Sequence, residues 1–207
     1  MDINNVKVFD FDHVEVRKFR EKIYREDLKL DPKLLKTFDI SDPVSDNKFA
    51  YWYSDQKFLK NGFDKVLLYY HNGEAVGMCG GTHFNKNLYR AVQGYYILKS
   101  ARKIVGLNTL HFRHDGFFDW QINRAKELNC KAVFISVDLF DRRHKIMFQA
   151  MRDDVVGPGH MPNNERKYTA KDLIYLDEDF EIKYTKQKVC YYNLTDNEID
   201  FKELFKA

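Results

Sequence analysis

Ala91-Val92-Gln93-Gly94-Tyr95-Tyr96-Ile97-Leu98 reads as a β-strand, and Lys99-Ser100-Ala101-Arg102 as the basic turn it runs into. Beyond a loop, a helix opens at Gly116, with Phe118, Ile122 and Ala125 at helical spacing and Leu128 near its end. Ala132-Val133-Phe134-Ile135-Ser136-Val137 follows, a short apolar run of the kind that forms an interior strand. A second amphipathic helix then carries Ile146, Met147, Ala150 and Met151 as its stripe. Folds with an apolar strand, a basic loop and a glycine-opened helix in this order usually hold a phosphorylated ligand at the helix start. Unpaired N–H groups and the positive helix end favour an anion there.

On the N-terminal side of that stretch, Val66-Leu67-Leu68-Tyr69-Tyr70 and Ala75-Val76-Gly77-Met78-Cys79 flank His71-Asn72-Gly73-Glu74. Asn-Gly between two apolar runs predicts a tight hairpin, because a type I′ turn needs positive φ at both central residues. The second strand continues through Gly80-Gly81-Thr82-His83-Phe84, where the glycine pair marks a bulge or a close backbone approach. Val14 to Glu26 is predicted as a helix with Val16, Phe19 and Ile23 on one face, and Asp31-Pro32 starts a short helix to about Lys36. Phe49 to Tyr53 is β-prone but ambiguous. On the other side, Gly157-Pro158-Gly159-His160-Met161-Pro162 breaks the chain before two closing strands around Leu173–Leu176 and Val189–Tyr192. The order predicts an α/β (α+β) layer, a central mixed β-sheet flanked by helices. With no repeat and no Pro/Gly-rich linker, residues 1–207 are expected to form a single domain.

Composition bounds the function. With 207 residues, 44% hydrophobic and 31% charged, the chain is expected to be an ordinary soluble protein, and its N-terminus lacks the features of a signal peptide. No apolar run approaches a membrane span, so no membrane partner is expected and a cytoplasmic location is. A net charge of +3 gives no ground for a nucleic-acid partner, and Arg142-Arg143-His144-Lys145 with Arg152 reads equally as a solvated helix face. Cys79, Cys130 and Cys190 show no metal-ligand spacing, so no metal is expected, and their odd number fits reduced thiols.

The strand–turn–helix–strand–helix order resembles the GNAT (GCN5-related N-acetyltransferase) superfamily, well over Val66 to Met151 and loosely elsewhere. The chain is read as a divergent member. In that family the strand ends in Val-x-Pro-x-x-Arg; Ile97-Leu98-Lys99-Ser100-Ala101-Arg102 resembles it, with Lys99 at the proline position. The family continues with Arg/Gln-x-x-Gly-x-Gly/Ala, whose amides cradle the pyrophosphate of CoA. Counted from Arg102, the glycine falls one position late, at Gly106. Counted from Arg113, Arg113-His114-Asp115-Gly116-Phe117-Phe118 places it correctly, with Phe118 where a small residue belongs. The second count is favoured because the helix opens at Gly116. After the next strand, counting from Val137 puts Asp141 at a family Asn, His144 at an Ala, and Phe148 at the Tyr that protonates the leaving thiolate in many members. Asp141 is also a good helix N-cap.

The resemblance implies an acyl-CoA co-substrate, acetyl-CoA or a longer acyl-CoA, held by Ile97, Leu98, Lys99, Arg102, Arg113, Gly116, Phe117 and Asp141. The amine acceptor, small molecule or protein, would be acylated with help from a general base. There is no Asp or Glu from Ala91 to Leu98, which leaves His83 and Tyr95 as the nearest candidates. Three functions follow. The first is an acyl-CoA-dependent N-acyltransferase. The second, more distant, is an acyl-homoserine-lactone synthase, which Phe19–Tyr24 and Phe38-Asp39 faintly resemble although the Glu-x-Ser-Arg motif is missing. The third is a GNAT-like binding or assembly module that has lost catalysis, consistent with Phe118 and Phe148. A homodimer through an exposed strand edge is compatible with the sequence.

Overall fold

The turn at Asn72-Gly73 forms as its residues demand: both central positions have positive φ, 50° and 81°, and they join β2 (Lys65–His71) to β3 (Glu74–Asn85). The computed structural model describes residues 5–38, 48–102, 116–138, 172–182 and 185–207. Around the hairpin lie β1 (Val6–Phe9), β4 (Leu88–Ile97), β5 (Ala132–Asp138), β6 (Ile174–Ile182) and β7 (Thr185–Asn193). The seven strands form one mixed sheet in the order β1-β2-β3-β4-β5-β7-β6. The chain divides into two compact units. One is built from Asp2–Thr82 and Gln93–Thr109, the other from His83–Val92 and Leu110–Ala207.

In the first unit, helix α1 (Val14–Lys22) starts where the His13 imidazole accepts the Glu15 N–H at 3.2 Å, and it buries Val16, Phe19 and Arg20. The predicted helix over 14–26 does not stay regular. It passes into a π-helical turn, Ile23–Leu28, which ends at Lys29 in the left-handed region. A π-turn re-aims the side chains it carries, and here Ile23, Tyr24 and Asp27 all turn inward. Helix α2 (Leu34–Thr37) begins just after the predicted Asp31-Pro32 start. The β-prone stretch near Phe49 is a helix instead, α3 (Lys48–Tyr53), followed by α4 (Asp55–Phe58). Burying Ala50 and Tyr53 on one side, and Ser54 capping the Lys57 N–H, outweighs the strand propensity of the aromatics.

The predicted bulge at Gly80-Gly81 does not occur in the pairing of β3 with β2. The β2–β3 ladder runs through Lys65↔Gly81 and Val66↔Gly80 unbroken, and the register shift falls between Tyr69 and Tyr70. Glycine is needed at 80 because Phe63 lies across it: a Cβ would sit 2.5 Å from two ring carbons. The close approach is that of a side chain of this chain.

In the second unit, the β4 residues Tyr89 and Ala91 and the β5 residues Val133, Ile135 and Val137 pack against Phe118, Ile122 and Ala125 of helix α5 (Gly116–Glu127), which begins at the predicted glycine. On the other face, Leu88, Ala132, Phe134, Val189 and Tyr191 meet Phe180, Ile182 and Phe201, the last from the short helix α6 (Phe201–Lys206). That helix is absent from the sequence reading, as is β1. The predicted closing strands are a hairpin of β6 and β7, longer than the apolar runs that signalled it. Cys79, Cys130 and Cys190 are buried, and none of them is in a disulfide among the described residues.

Candidate active site

Strand β4 is irregular at its centre. Val92 and Gly94 both have positive φ, 57° and 59°. A β-branched residue in that region is an outlier that costs on the order of 1–2 kcal/mol and persists only where its surroundings impose it. Two contacts do so. The Val92 N–H, turned out of the ladder, donates to Oε1 of Gln121 at 2.8 Å, and Gln121 is fully buried on α5. At Gly94 the rings of Phe63 and Phe58 come within 3.3 and 3.8 Å of where a Cβ would stand. The parallel ladder of β4 with β5 comprises Leu88↔Ala132, Tyr89↔Val133 and Arg90↔Phe134, and ends just before this distortion.

Gln121→Leu leaves the partly buried Val92 N–H without its acceptor and puts an apolar side chain at a fully buried position that held an amide, so the substitution is expected to cost about 1–3 kcal/mol in denaturant unfolding. A loss well under 1 kcal/mol would mean that the N–H finds another partner. The sequence carried one sign of this feature, Gly94 inside an otherwise regular strand pattern.

A carboxylate reaches the end of β4 from the π-turn. Asp27, which the sequence reading did not single out, is 8% exposed. Its Oδ2 accepts from the Tyr96 hydroxyl and from the Lys99 N–H, both at 2.9 Å, while the Lys99 ammonium donates to the Asp27 carbonyl at 2.8 Å. Burial, and then the bond to Asp27, hold the Tyr96 hydroxyl well above the ordinary phenol range, so it stays a donor. Tyr53, buried beside Tyr96 with ring centroids 5.1 Å apart, donates its hydroxyl to the Tyr95 carbonyl at 3.1 Å. Sequence separation hid this cluster. Asp27 and Tyr96 lie 69 residues apart, and no local pattern connects them.

The residues singled out in the sequence are distributed as follows. Ile97 and Leu98 have fully buried side chains, so only their backbone can meet a ligand. Much of that backbone is already engaged: the Leu98 N–H donates to the Val76 carbonyl at 3.0 Å, and the Ile97 carbonyl accepts from Nε of Arg102, also at 3.0 Å. Lys99 and Arg102 are exposed at the turn, with the Arg102 guanidinium 5.6 Å from the Tyr96 ring centroid. Tyr95 is half-buried in the second half of β4, and His83 is exposed towards the end of β3. Gly116 and Phe117 open α5. Phe118, the departure from the family pattern, is 1% exposed and packs into the core with Val133 and Ile122, so its bulk is accounted for by the apolar layer. Arg113, Asp141, His144 and Phe148 lie outside the described residues, as do the stripe from Ile146 to Met151 and the breaker cluster from Gly157.

Among the described residues no group of three His, Cys, Asp or Glu side chains could hold a metal ion. No helix among them is long and apolar enough to cross a membrane.

No family model and no curated protein matches the chain. Solved structures do. A protein from Desulfovibrio desulfuricans assigned to the GNAT acetyltransferase family is similar over 92% of this chain and 99% of its own, with a TM-score of 0.50 and 7% identity. An aminoglycoside 6′-N-acetyltransferase in complex with coenzyme A covers 94% of this chain and 99% of its own, with a TM-score of 0.47 and 8% identity. For yncA of Salmonella typhimurium, solved with acetyl-CoA, the values are 94% and 96%, 0.44 and 9%. At these identities the likeness is one of fold: a mixed seven-stranded sheet with flanking helices in the GNAT arrangement.

Proposed function

We propose that this chain, built on the GNAT fold, is an acyl-CoA-dependent N-acyltransferase. The observation that carries the reading is the distortion of β4: two residues at positive φ, one of them valine, directly after the parallel ladder with β5 stops. The Val92 N–H is taken by Gln121, so the groups such a distorted strand can aim at a developing oxyanion are the N–H groups of the residues that follow Val92. The thioester is the donor that fits such a strand, with Lys99 and Arg102 as exposed cations at its end for the phosphates.

In the reaction, the amine nitrogen of the acceptor attacks the thioester carbonyl carbon. The N–C bond forms, the C–S bond breaks, and the CoA thiolate leaves with the electron pair. The nitrogen gives up one proton and the thiolate takes one. His83 and Tyr95 are the residues proposed to take part in removing the amine proton. Asp27 acts one step back, fixing the Tyr96 hydroxyl and the Lys99 amide that follow the distortion of β4.

Acetyl-CoA at about a hundred times its dissociation constant is expected to add about 2.7 kcal/mol to the folded state, read as a saturable rise in the unfolding midpoint. If neither acetyl-CoA nor longer acyl-CoA thioesters raise the midpoint, the reading fails and a non-catalytic binding module takes its place. If the donor binds but His83→Ala and Tyr95→Phe both turn over as the parent does, the base assignment fails alone.

A further inference from the structure

One face of the second unit changes character along its strands. At one end Ala132, Phe134, Val189 and Tyr191 lie under Phe201 of α6. Towards the carboxyl end of β5 the same face presents Arg90 of β4, Ser136 of β5 and Gln187 of β7. The Arg90 Nε donates to the Ser136 hydroxyl at 3.0 Å, and one terminal nitrogen donates to Oε1 of Gln187 at 3.0 Å. Gln187 is itself 7% exposed and oriented by its amide, which donates to the Thr185 hydroxyl at 2.7 Å. Two neutral acceptors thus hold the guanidinium by two of its five N–H groups. No carboxylate among the described side chains pairs with it. Burial without a counter-charge draws its pKa down to about 10, against the ordinary arginine range.

An arginine placed this way costs stability, since a sheltered charge is normally paired. Other arginines of the described residues show the contrast: Arg17 has Glu21 at 3.2 Å, Arg20 has Asp55 at 2.8 Å, and Arg124 has Glu127 at 3.0 Å. Arg90 is also the last β4 residue in the parallel ladder, and Ser136 lies two residues past the last β5 partner. In open sheets with parallel strands, ligands bind beyond the carboxyl ends where neighbouring strands part. Arg90 remains half-buried, so it is reachable from solvent.

We propose that Arg90, held by Ser136 and Gln187, is the binding site for a carboxylate on the acceptor, so that the amine acylated by this protein belongs to a molecule that also carries an anion. The inference rests on the acyltransferase reading. The acceptor supplies the missing counter-charge as it docks, and a fork of N–H groups receives a carboxylate with two parallel bonds.

Two measurements test it, one of them independent of turnover. In the first, acetyl transfer is measured for paired amines that differ only by the carboxylate: β-alanine against ethylamine, and 4-aminobutyrate against propylamine. The carboxylated member is expected to have a kcat/KM at least about tenfold higher, and Arg90→Gln is expected to bring the ratio close to one. Equal rates in the parent, or an unchanged ratio in the variant, overturn the proposal. In the second, the 15Nε–1Hε resonance of Arg90 is followed in the unmodified protein while sodium acetate is added at constant ionic strength against sodium chloride. A saturable shift with acetate and none with chloride supports a carboxylate site even if no amine is acetylated, in which case the acyltransferase reading falls and the site stands. An Arg90 resonance indifferent to acetate overturns the site whatever the enzyme does.

Discussion

Asp55→Ala is expected to lower the unfolding free energy by about 3–5 kcal/mol, because it leaves a buried cation without its partner. The Arg20 side chain is 3% exposed. One terminal nitrogen donates to the Asp55 carboxylate at 2.8 Å and to the Tyr53 carbonyl at 3.0 Å, and the guanidinium lies 4.5 Å from the centroid of Phe58. Burial is the main cause that pushes the Arg20 pKa down, with Arg17 adding to it, and Asp55 is the main group that opposes it. The Nε of Arg20 already lacks a hydrogen-bond partner, so little can offset the loss of the carboxylate.

Arg20→Met is expected to cost clearly less than Asp55→Ala. It removes the buried charge together with its need for a partner, and Asp55, 19% exposed with Arg17 at 3.7 Å, keeps both solvent and a cation. Urea unfolding of the two variants decides the matter. A midpoint for Asp55→Ala within about 1 kcal/mol of the parent would mean that water reaches Arg20 and the pair is not truly sheltered.

The second large effect belongs to the other unit. Phe134→Ala is expected to cost about 3–5 kcal/mol, the usual loss for an aromatic side chain deleted from a packed core. Phe134 is fully buried, with its ring centroid 5.2 Å from Phe84, 5.7 Å from Phe201 and 6.1 Å from Phe205. The loss should concentrate at α6. A six-residue helix has no stability of its own, and this one holds on through its aromatics, the Asp200 cap and the Asn85 side chain, whose amide donates to the Leu204 carbonyl at 2.9 Å. Amide exchange at Leu204 and Phe205 is therefore expected to accelerate more than exchange in β5. Uniform acceleration would show instead that α6 and the strands open as one.

The legible parts of this chain are those where chemistry and spacing are local. Asn72-Gly73 specified its turn, and Phe118, Ile122 and Ala125 marked the buried face of α5. The strand Ala132 to Val137 was recognisable because both of its faces are covered. Where distant residues decide, the sequence misled or was silent. Lys48–Tyr53 has strand-like composition and becomes a helix through what Ala50, Tyr53 and Ser54 bury. The glycine pair at 80–81 pointed to a bulge, when the requirement came from Phe63. The true distortion, at Val92, is held by a glutamine 29 residues further on. Asp27 is a comparable case, a carboxylate supplied to the end of β4 by a π-turn whose irregularity has no sequence signature.

Among the described residues the sheet ends on one side at β6, Ile174–Ile182, which pairs there with β7 alone. An outermost strand of nine residues is an open template for another chain, and a protein that stays in solution must discourage that encounter. Asp177, Glu178, Asp179 and Glu181 do so by their sign. Lys188 answers Asp179 and Lys202 answers Glu178, and the run keeps its acidic character. A second copy approaching along β6 would bring its own row of carboxylates against this one, and the irregular register between Tyr175 and Asp179 would spoil the alignment further. Crowding along this rim is resisted by repulsion between like molecules.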